Sequence, residues 1–226
     1  MSRPTRCIAI IPARIGSKGI PRKNIKDFCG KPLISWLVEA LNASSIDEVI
    51  VSTDGKEIKD CVNAIALDKV RVFNRHPDTA KDEASSESVV LDYLERTQHD
   101  DDDIVILAQA TSPWTQPEDI NQAVDKVINN ECDSLLSVVP NHAFLWNGKG
   151  ESINYDYSNR PRRQDMADQY MENGAFYITR AGRFKTSQNR LGGKIGYYIM
   201  PAYSAIELDD EHDWLLAEAI MQQLKK

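Results

Sequence analysis

Cys7-Ile-Ala-Ile-Ile11-Pro12-Ala-Arg14-Ile-Gly16-Ser17-Lys18-Gly19-Ile-Pro21-Arg-Lys23-Asn24 passes from an unbroken apolar run into a loop rich in small and cationic residues. A short run with no polar alternation reads as a strand buried on both faces. Three more short, near-continuous apolar runs follow at 48–53, 70–73 and 103–108, each bounded by turn residues. Between them the spacing changes to helical. Leu33, Trp36, Leu37, Ala40 and Leu41 fall at i, i+3, i+4, i+7 and i+8, and Val89, Val90, Tyr93 and Leu94 continue a similar face. Ser86 and Glu87 supply start chemistry for that second helix. Alternating strands and helices predict an α/β fold: a mostly parallel central sheet with helices on both faces. Ligands of such sheets bind beyond the carboxyl ends of the strands, where the loop after residue 11 lies.

After a further run at 134–139 the pattern breaks. Residues 140–170 are polar, with Trp146, Tyr155, Tyr157 and the basic run Arg160-Pro-Arg-Arg163. That is long for a connection within a compact domain, so the stretch is functional or an inserted subdomain. Strands are expected again at 174–179 and 195–200, and a closing helix at 210–226. This divides the chain into a nucleotide-binding catalytic domain, 1–139 and 171–226, and an insert, 140–170. The acidic residues 100–103 read as a solvated turn.

The 226 residues suit one domain with such an excursion. A net charge of -7 argues against a nucleic-acid or anionic-membrane partner, although local basic clusters can still hold phosphate. No stretch approaches the roughly 18 to 20 apolar residues that span a bilayer. The start of the chain reads as a buried strand rather than a signal peptide. Cys7, Cys29, Cys61 and Cys132 are scattered, without zinc spacing, and read as thiols of a reducing compartment. The expected location is cytoplasmic.

In the loop after residue 11, glycines let backbone N–H groups approach an anion, while Lys and Arg add charge. The loop matches neither GxxxxGK[ST] nor GxGxxG. On these grounds it is a phosphate loop or a solvated turn with incidental charges.

The loop resembles the amino-terminal signature of the CMP-sialic acid synthetases, the N-acylneuraminate cytidylyltransferases. Five further blocks follow in the same order: Ser52-Thr53-Asp54; Arg75, Asp82 and Ala84-Ser85-Ser86; Gln109-Ala-Thr111-Ser112-Pro113; Arg160-Pro-Arg-Arg163-Gln164 ahead of Glu172-Asn173-Gly174-Ala175-Phe176-Tyr177; and Glu207-Leu-Asp209-Asp-Glu-His-Asp213-Trp214. The resemblance covers nearly the whole chain and implies the nucleotide-diphospho-sugar transferase type of fold.

It further implies that Arg14, Ser17, Lys18, Lys23 and Asn24 surround the nucleotide of CTP, with Arg14 and Lys23 carrying most of the phosphate charge. Arg75 and Ser86 complete the cytidine pocket. Gln109, Arg163 and Tyr177 face the sugar acid, where a guanidinium fork suits a carboxylate. Tyr177 also reads as plain core, and Ser86 as a helix cap. Asp209 and Glu207 match the family's acidic metal pair, expected to hold Mg²⁺ beside the phosphates. Glu207 departs from the family's Asp-x-Asp, which leaves its direct coordination open, and first-turn helix stabilisation accounts for Asp213.

The implied reaction is in-line attack of the anomeric hydroxyl of a nonulosonic acid on the α-phosphorus of CTP. Arg14, Lys23 and Asp209 are its catalytic residues, and a homodimer formed through 140–170 is the expected assembly. Legionaminate and pseudaminate remain alternatives to sialic acid. A non-catalytic nucleotide-binding protein on the same fold is the alternative of another class.

Overall fold

The computed structural model describes residues 4–16, 19–81, 84–166 and 168–225. Its first half runs β1 (Cys7–Pro12), the short hairpin β2 (Asp27–Phe28) and β3 (Lys31–Pro32), α1 (Leu33–Ala43), β4 (Glu48–Thr53), α2 (Lys56–Ile65), β5 (Val70–Asn74) and α3 (Ser86–Arg96). The second half continues with β6 (Ile104–Ala108), α4 (Pro117–Ile128), β7 (Ser134–Pro140), β8 (Tyr170–Arg180), α5 (Ala181–Ser187), β9 (Ile195–Ile199) and α6 (Glu211–Leu224).

Among the described residues seven strands form one sheet in the order β5-β4-β1-β6-β8-β7-β9. β5, β4, β1 and β6 run parallel, as do β7 and β9. β8 is antiparallel to both of its neighbours. The α/β class, with a mostly parallel sheet, is therefore observed.

β1 explains why both faces are covered. Its side chains alternate, Ala9 and Ile11 joining the cluster under α1, α2 and α4. Ile8 and Ile10 join the opposite cluster, under α3 and α5. All four are fully buried, so neither face admits a polar residue. A third cluster lies outside the sheet, where Ile20 and Leu208 pack with Phe28, Trp114 and Trp214. Ile20 belongs to the loop after β1, and Leu208 to the segment before α6. Burying each such side chain contributes roughly 1.5–3 kcal/mol, which ties the two segments to one another.

Residues 141–169 leave the sheet after β7 and return to it at β8. Their described residues include two 3-10 turns, Tyr157–Asn159 and Arg163–Asp165, and a bridge between Trp146 and Ser152. Asn154 ties this excursion together: its Nδ2 donates to the Ala143 carbonyl (2.8 Å) and to Gln169 Oε1 (2.7 Å). No helix among the described residues is long and apolar enough to cross a membrane.

Candidate active site

The sheet order reverses at β1. From there the chain winds outward through β4 and β5, then crosses back to lay β6 on the other side. Where two such connections diverge, a crevice opens beyond the carboxyl ends of the strands. A cavity of about 390 Å³ occupies that place, walled by Pro12, Arg14 and Lys23 after β1 and by Gln109 and Thr111 after β6. Arg75, Lys81 and Ser86 close a further side, and Asp209 stands at the opening.

The loop after β1 is held by its own polar groups. Asn24 is nearly buried and its Nδ2 donates to the Arg14 carbonyl at 3.0 Å. Lys23 Nζ donates to the Leu208 carbonyl (2.5 Å) and to Asp209 Oδ1 (3.1 Å). The lysine is 15% exposed and the aspartate 69%, so the ammonium sits at the wall with the carboxylate projecting above it. Gly19 passes directly against the Asp209 backbone, so close that a Cβ would overlap its carbonyl oxygen. Glycine is required there by space. Ser17 and Lys18, both expected at the nucleotide, lie outside the described residues.

Arg75 is the most constrained cation of the site. It is 9% exposed, and its Nε has no hydrogen-bond partner among the described residues. Burial holds its pKa below the usual arginine range; nearby Asp54 opposes that shift, and Arg14 adds to it. A desolvated guanidinium beside a second cation calls for an anionic or acceptor-rich ligand. Ser86 is the first residue of α3, and the cap of that helix is Ser85, whose Oγ accepts from the Ser88 N–H at 3.2 Å. The helix-cap reading of Ser86 is thereby corrected, because the helix begins one residue earlier than Ser86 would need to cap it. Lys81 lines the cavity as well, its Nζ 2.7 Å from Asp78 Oδ1. Sequence reasoning passed over Lys81, although it adjoins the block of Asp82 to Ser86.

Gln109 directly follows β6, and its backbone N–H donates to the Ala175 carbonyl at 3.0 Å. Its side chain lies over Gly174, whose φ of +67° places it in the left-handed region. The other two residues expected at the sugar are elsewhere. Tyr177 is 6% exposed and packs in the core with Ile8, Ile10 and Phe184. Its hydroxyl donates to Glu172 Oε2 at 2.8 Å, and burial pushes its pKa up to about 12. Arg163 is exposed on the excursion, where with His142, Arg160 and Arg162 it lines a different cavity, of about 530 Å³. Neither lines the cleft. Tyr177 is turned inward by the period of β8, and Arg163 is carried away by the excursion.

The acidic segment is extended, with Leu208 buried between exposed Glu207 and Asp209. Asp209 lines the cleft and Glu207 does not. Asp213 belongs to the capping box of α6: its carboxylate accepts from the Asp209 N–H (3.2 Å) and the Asp210 N–H (3.1 Å). Among the described residues no group of three or more His, Cys, Asp or Glu side chains could enclose a metal. One carboxylate at the rim of a cationic cleft does fit Mg²⁺, which commonly takes one or two protein carboxylates and completes its shell with water and substrate phosphates.

A parallel-sheet crevice walled by cations, with one carboxylate at its lip, suits a phosphate-bearing ligand. The chain belongs to the cytidylyltransferase family, whose sequence model matches residues 8–224. N-acylneuraminate cytidylyltransferase B of Danio rerio is 37% identical over 217 residues, covering 93% of this chain and 50% of that protein. The chain thus spans about half the length of that relative. Pseudaminic acid cytidylyltransferase of Campylobacter jejuni is 32% identical over 222 residues, covering 94% of this chain and 95% of its own. The solved structure of CMP:2-keto-3-deoxy-manno-octonic acid synthetase complexed with CTP shares the fold, with a TM-score of 0.73 at 20% identity, covering 97% of this chain and 100% of that one.

Proposed function

We propose that this chain transfers CMP from CTP to the anomeric hydroxyl of a nonulosonic acid, an N-acylneuraminate, releasing pyrophosphate. The observation that carries the reading is the convergence of Arg14, Lys23, Arg75, Ser86, Gln109 and Asp209 on one cleft at the reversal of the sheet order. Arg14 and Lys23 bind the triphosphate and neutralise charge that develops on its oxygens. Arg75, Asn24 and Ser86 hold the cytidine, its buried polar edges satisfied by the orphaned Nε and its neighbours. Gln109 orients the acceptor over the platform of Gly174. The hydroxyl oxygen then bonds to the α-phosphorus as the bond to pyrophosphate breaks, and Asp209 takes the hydroxyl proton. Mg²⁺, when bound, supplies charge neutralisation at the phosphates, with Asp209 as its protein ligand. Glu207 stays outside the cleft wall and is left an outer position.

Pyrophosphate release measured with CTP and N-acetylneuraminate, legionaminate or pseudaminate tests the proposal. CTP without any acceptor gives the baseline, and no release above it with any of the three would remove the reading. A second reading, with pseudaminate as the preferred acceptor, is favoured by the match to nearly the full length of the C. jejuni enzyme. The same panel ranks the two. A cytoplasmic location is proposed with either. The thiols packed in the fold support it, Cys7 above all, whose pKa burial pushes up to about 11.

We further propose a homodimer formed through residues 140–170. Leu145, Trp146, Ile153 and Tyr157 are all more than two-fifths exposed on that excursion, an apolar patch of the kind that interfaces cover. Arg163 lies outside the cleft, so its service to the acceptor carboxylate requires a second copy to bring the excursion over a neighbouring cleft. Light scattering at micromolar concentration should give twice the chain mass; a fully active monomer would remove the assembly. Arg163→Ala should raise the KM for the sugar acid about tenfold, the scale of one charge-assisted hydrogen bond, and leave the calorimetric Kd for CTP unchanged.

A further inference from the structure

Glu87, Arg190, Tyr177 and Glu172 form a continuous chain of contacts that the reaction above does not use. Arg190 donates from Nε to Glu87 Oε1 at 2.5 Å and from Nη2 to Oε2 at 2.9 Å. The two side chains are 23% and 18% exposed, and the pair holds the Glu87 carboxyl below the usual carboxylate range. The same guanidinium lies 4.6 Å from the centroid of the Tyr177 ring, whose hydroxyl reaches Glu172. An exposed ion pair would contribute little. This one is bidentate, stacked and mostly shielded from water, the geometry in which arginine is not replaceable by lysine.

The two ends of the chain of contacts matter more than its middle. Glu87 is the second residue of α3, directly after Ser86 in the wall of the cleft. Glu172 is one end of an irregularity in β8: it pairs with Val138, while Tyr177 pairs with Leu136. Residues 173–176 therefore stand opposite Ser137 alone. That serine closes the gap, its Oγ accepting from the Phe176 N–H at 3.0 Å. The bulged residues carry Gly174 beneath Gln109. The Tyr177 hydroxyl bond to Glu172 spans the bulge and fixes its width.

We propose that Arg190 is a positioning residue that couples the two halves of the cleft, steadying Ser86 through Glu87 and the platform under Gln109 through Tyr177 and Glu172. The inference rests on the cytidylyltransfer reading given above. Its test uses the full chain with Arg190→Gln and Arg190→Lys. Three quantities are read: the calorimetric Kd for CTP alone, the KM for N-acetylneuraminate in pyrophosphate release, and hydrogen exchange at 84–88 and 172–176. Arg190→Gln should weaken CTP and raise the sugar KM each by about tenfold, the scale of one lost charge-assisted bond, and both segments should exchange faster. Arg190→Lys keeps the charge without the fork and should rescue neither affinity. It also carries the comparison if the glutamine variant fails to fold. Tyr177→Phe, which removes only the hydroxyl, should raise the sugar KM and leave CTP binding unchanged.

Both affinities within twofold of wild type, whatever happens to the melting temperature, would reduce Arg190 to a structural residue and overturn the proposal. So would a change confined to one affinity and one segment. A wild-type chain that releases no pyrophosphate would instead defeat the functional reading. The exchange data would then still decide the coupling: faster exchange in both segments upholds it, and in one or neither overturns it.

Discussion

Asp209→Asn should lower turnover by at least about a hundredfold, roughly 2.7 kcal/mol of barrier, while CTP still binds. The substitution keeps size and shape but removes the negative charge from the lip of the cleft. Two consequences follow from the geometry. The carboxylate available to a hard cation and to the hydroxyl proton is lost. The partner of Lys23 Nζ, at 3.1 Å, loses its charge as well, although the lysine keeps its bond to the Leu208 carbonyl and so stays on the cleft wall. Binding of the triphosphate should therefore be kept or slightly strengthened, because an attractive competitor for the ammonium is gone. Calorimetry of CTP binding beside a Mg²⁺ titration of turnover separates these effects. Wild-type turnover with an unchanged Mg²⁺ midpoint would remove both the metal assignment and the proton-accepting role of Asp209. Glu207→Asp, read in the same titration, should leave the Mg²⁺ midpoint unchanged, since Glu207 does not line the cleft.

Gly19→Ala should also cost about a hundredfold in kcat/KM, and for a steric reason. The added methyl would overlap the Asp209 carbonyl oxygen, which is backbone and cannot rotate aside. Ile20 and Leu208, fixed in one apolar cluster on either side of the contact, prevent the two segments from separating freely. Forcing a methylene-sized group into such packing typically costs about 1–3 kcal/mol. Here the displacement falls on Asp209 and on the loop that carries Lys23. Gly16 supplies the control, since a Cβ there meets nothing within 4 Å among the described residues. Gly16→Ala should keep activity near wild type. Equal losses for the two alanines would mean that the loop needs glycine flexibility throughout rather than a close approach at one point. Circular dichroism should be native for both, because the sheet is untouched.

Much of the fold could be read directly from the chain. Near-continuous apolar runs at 7–11, 48–53, 70–73 and 103–108 read as covered strands, and β1, β4, β5 and β6 begin and end within a residue of them. Of these four only β5, at the edge of the sheet and carrying Arg71, is half-buried rather than covered on both faces. The resemblance carried by six ordered blocks agrees with the family model over residues 8–224. The loop after β1 stands out in the sequence as a candidate phosphate loop because its small and cationic residues are contiguous. Lys81 was missed for the opposite reason, being a lone surface lysine until α3 and the loop before it are folded against β1.

Which residues share the cleft was decided only by the tertiary structure. Lys23 and Asp209 are 186 residues apart and meet because Ile20 and Leu208 are buried together. Tyr177 stands in β8 and Gln109 just past the end of the adjoining β6, yet one faces the core and the other the cleft. Alternation along β8 is interrupted by the bulge opposite Ser137, and no periodicity marks where a strand changes face. Arg163 follows the same logic on a larger scale, since a basic run shows its charge but not where the excursion carries it. Local sequence sets the period of an element and its apolar face. Which other element covers that face, and in what register, depends on packing between side chains far apart in the chain, and that packing exists only once the sheet is assembled.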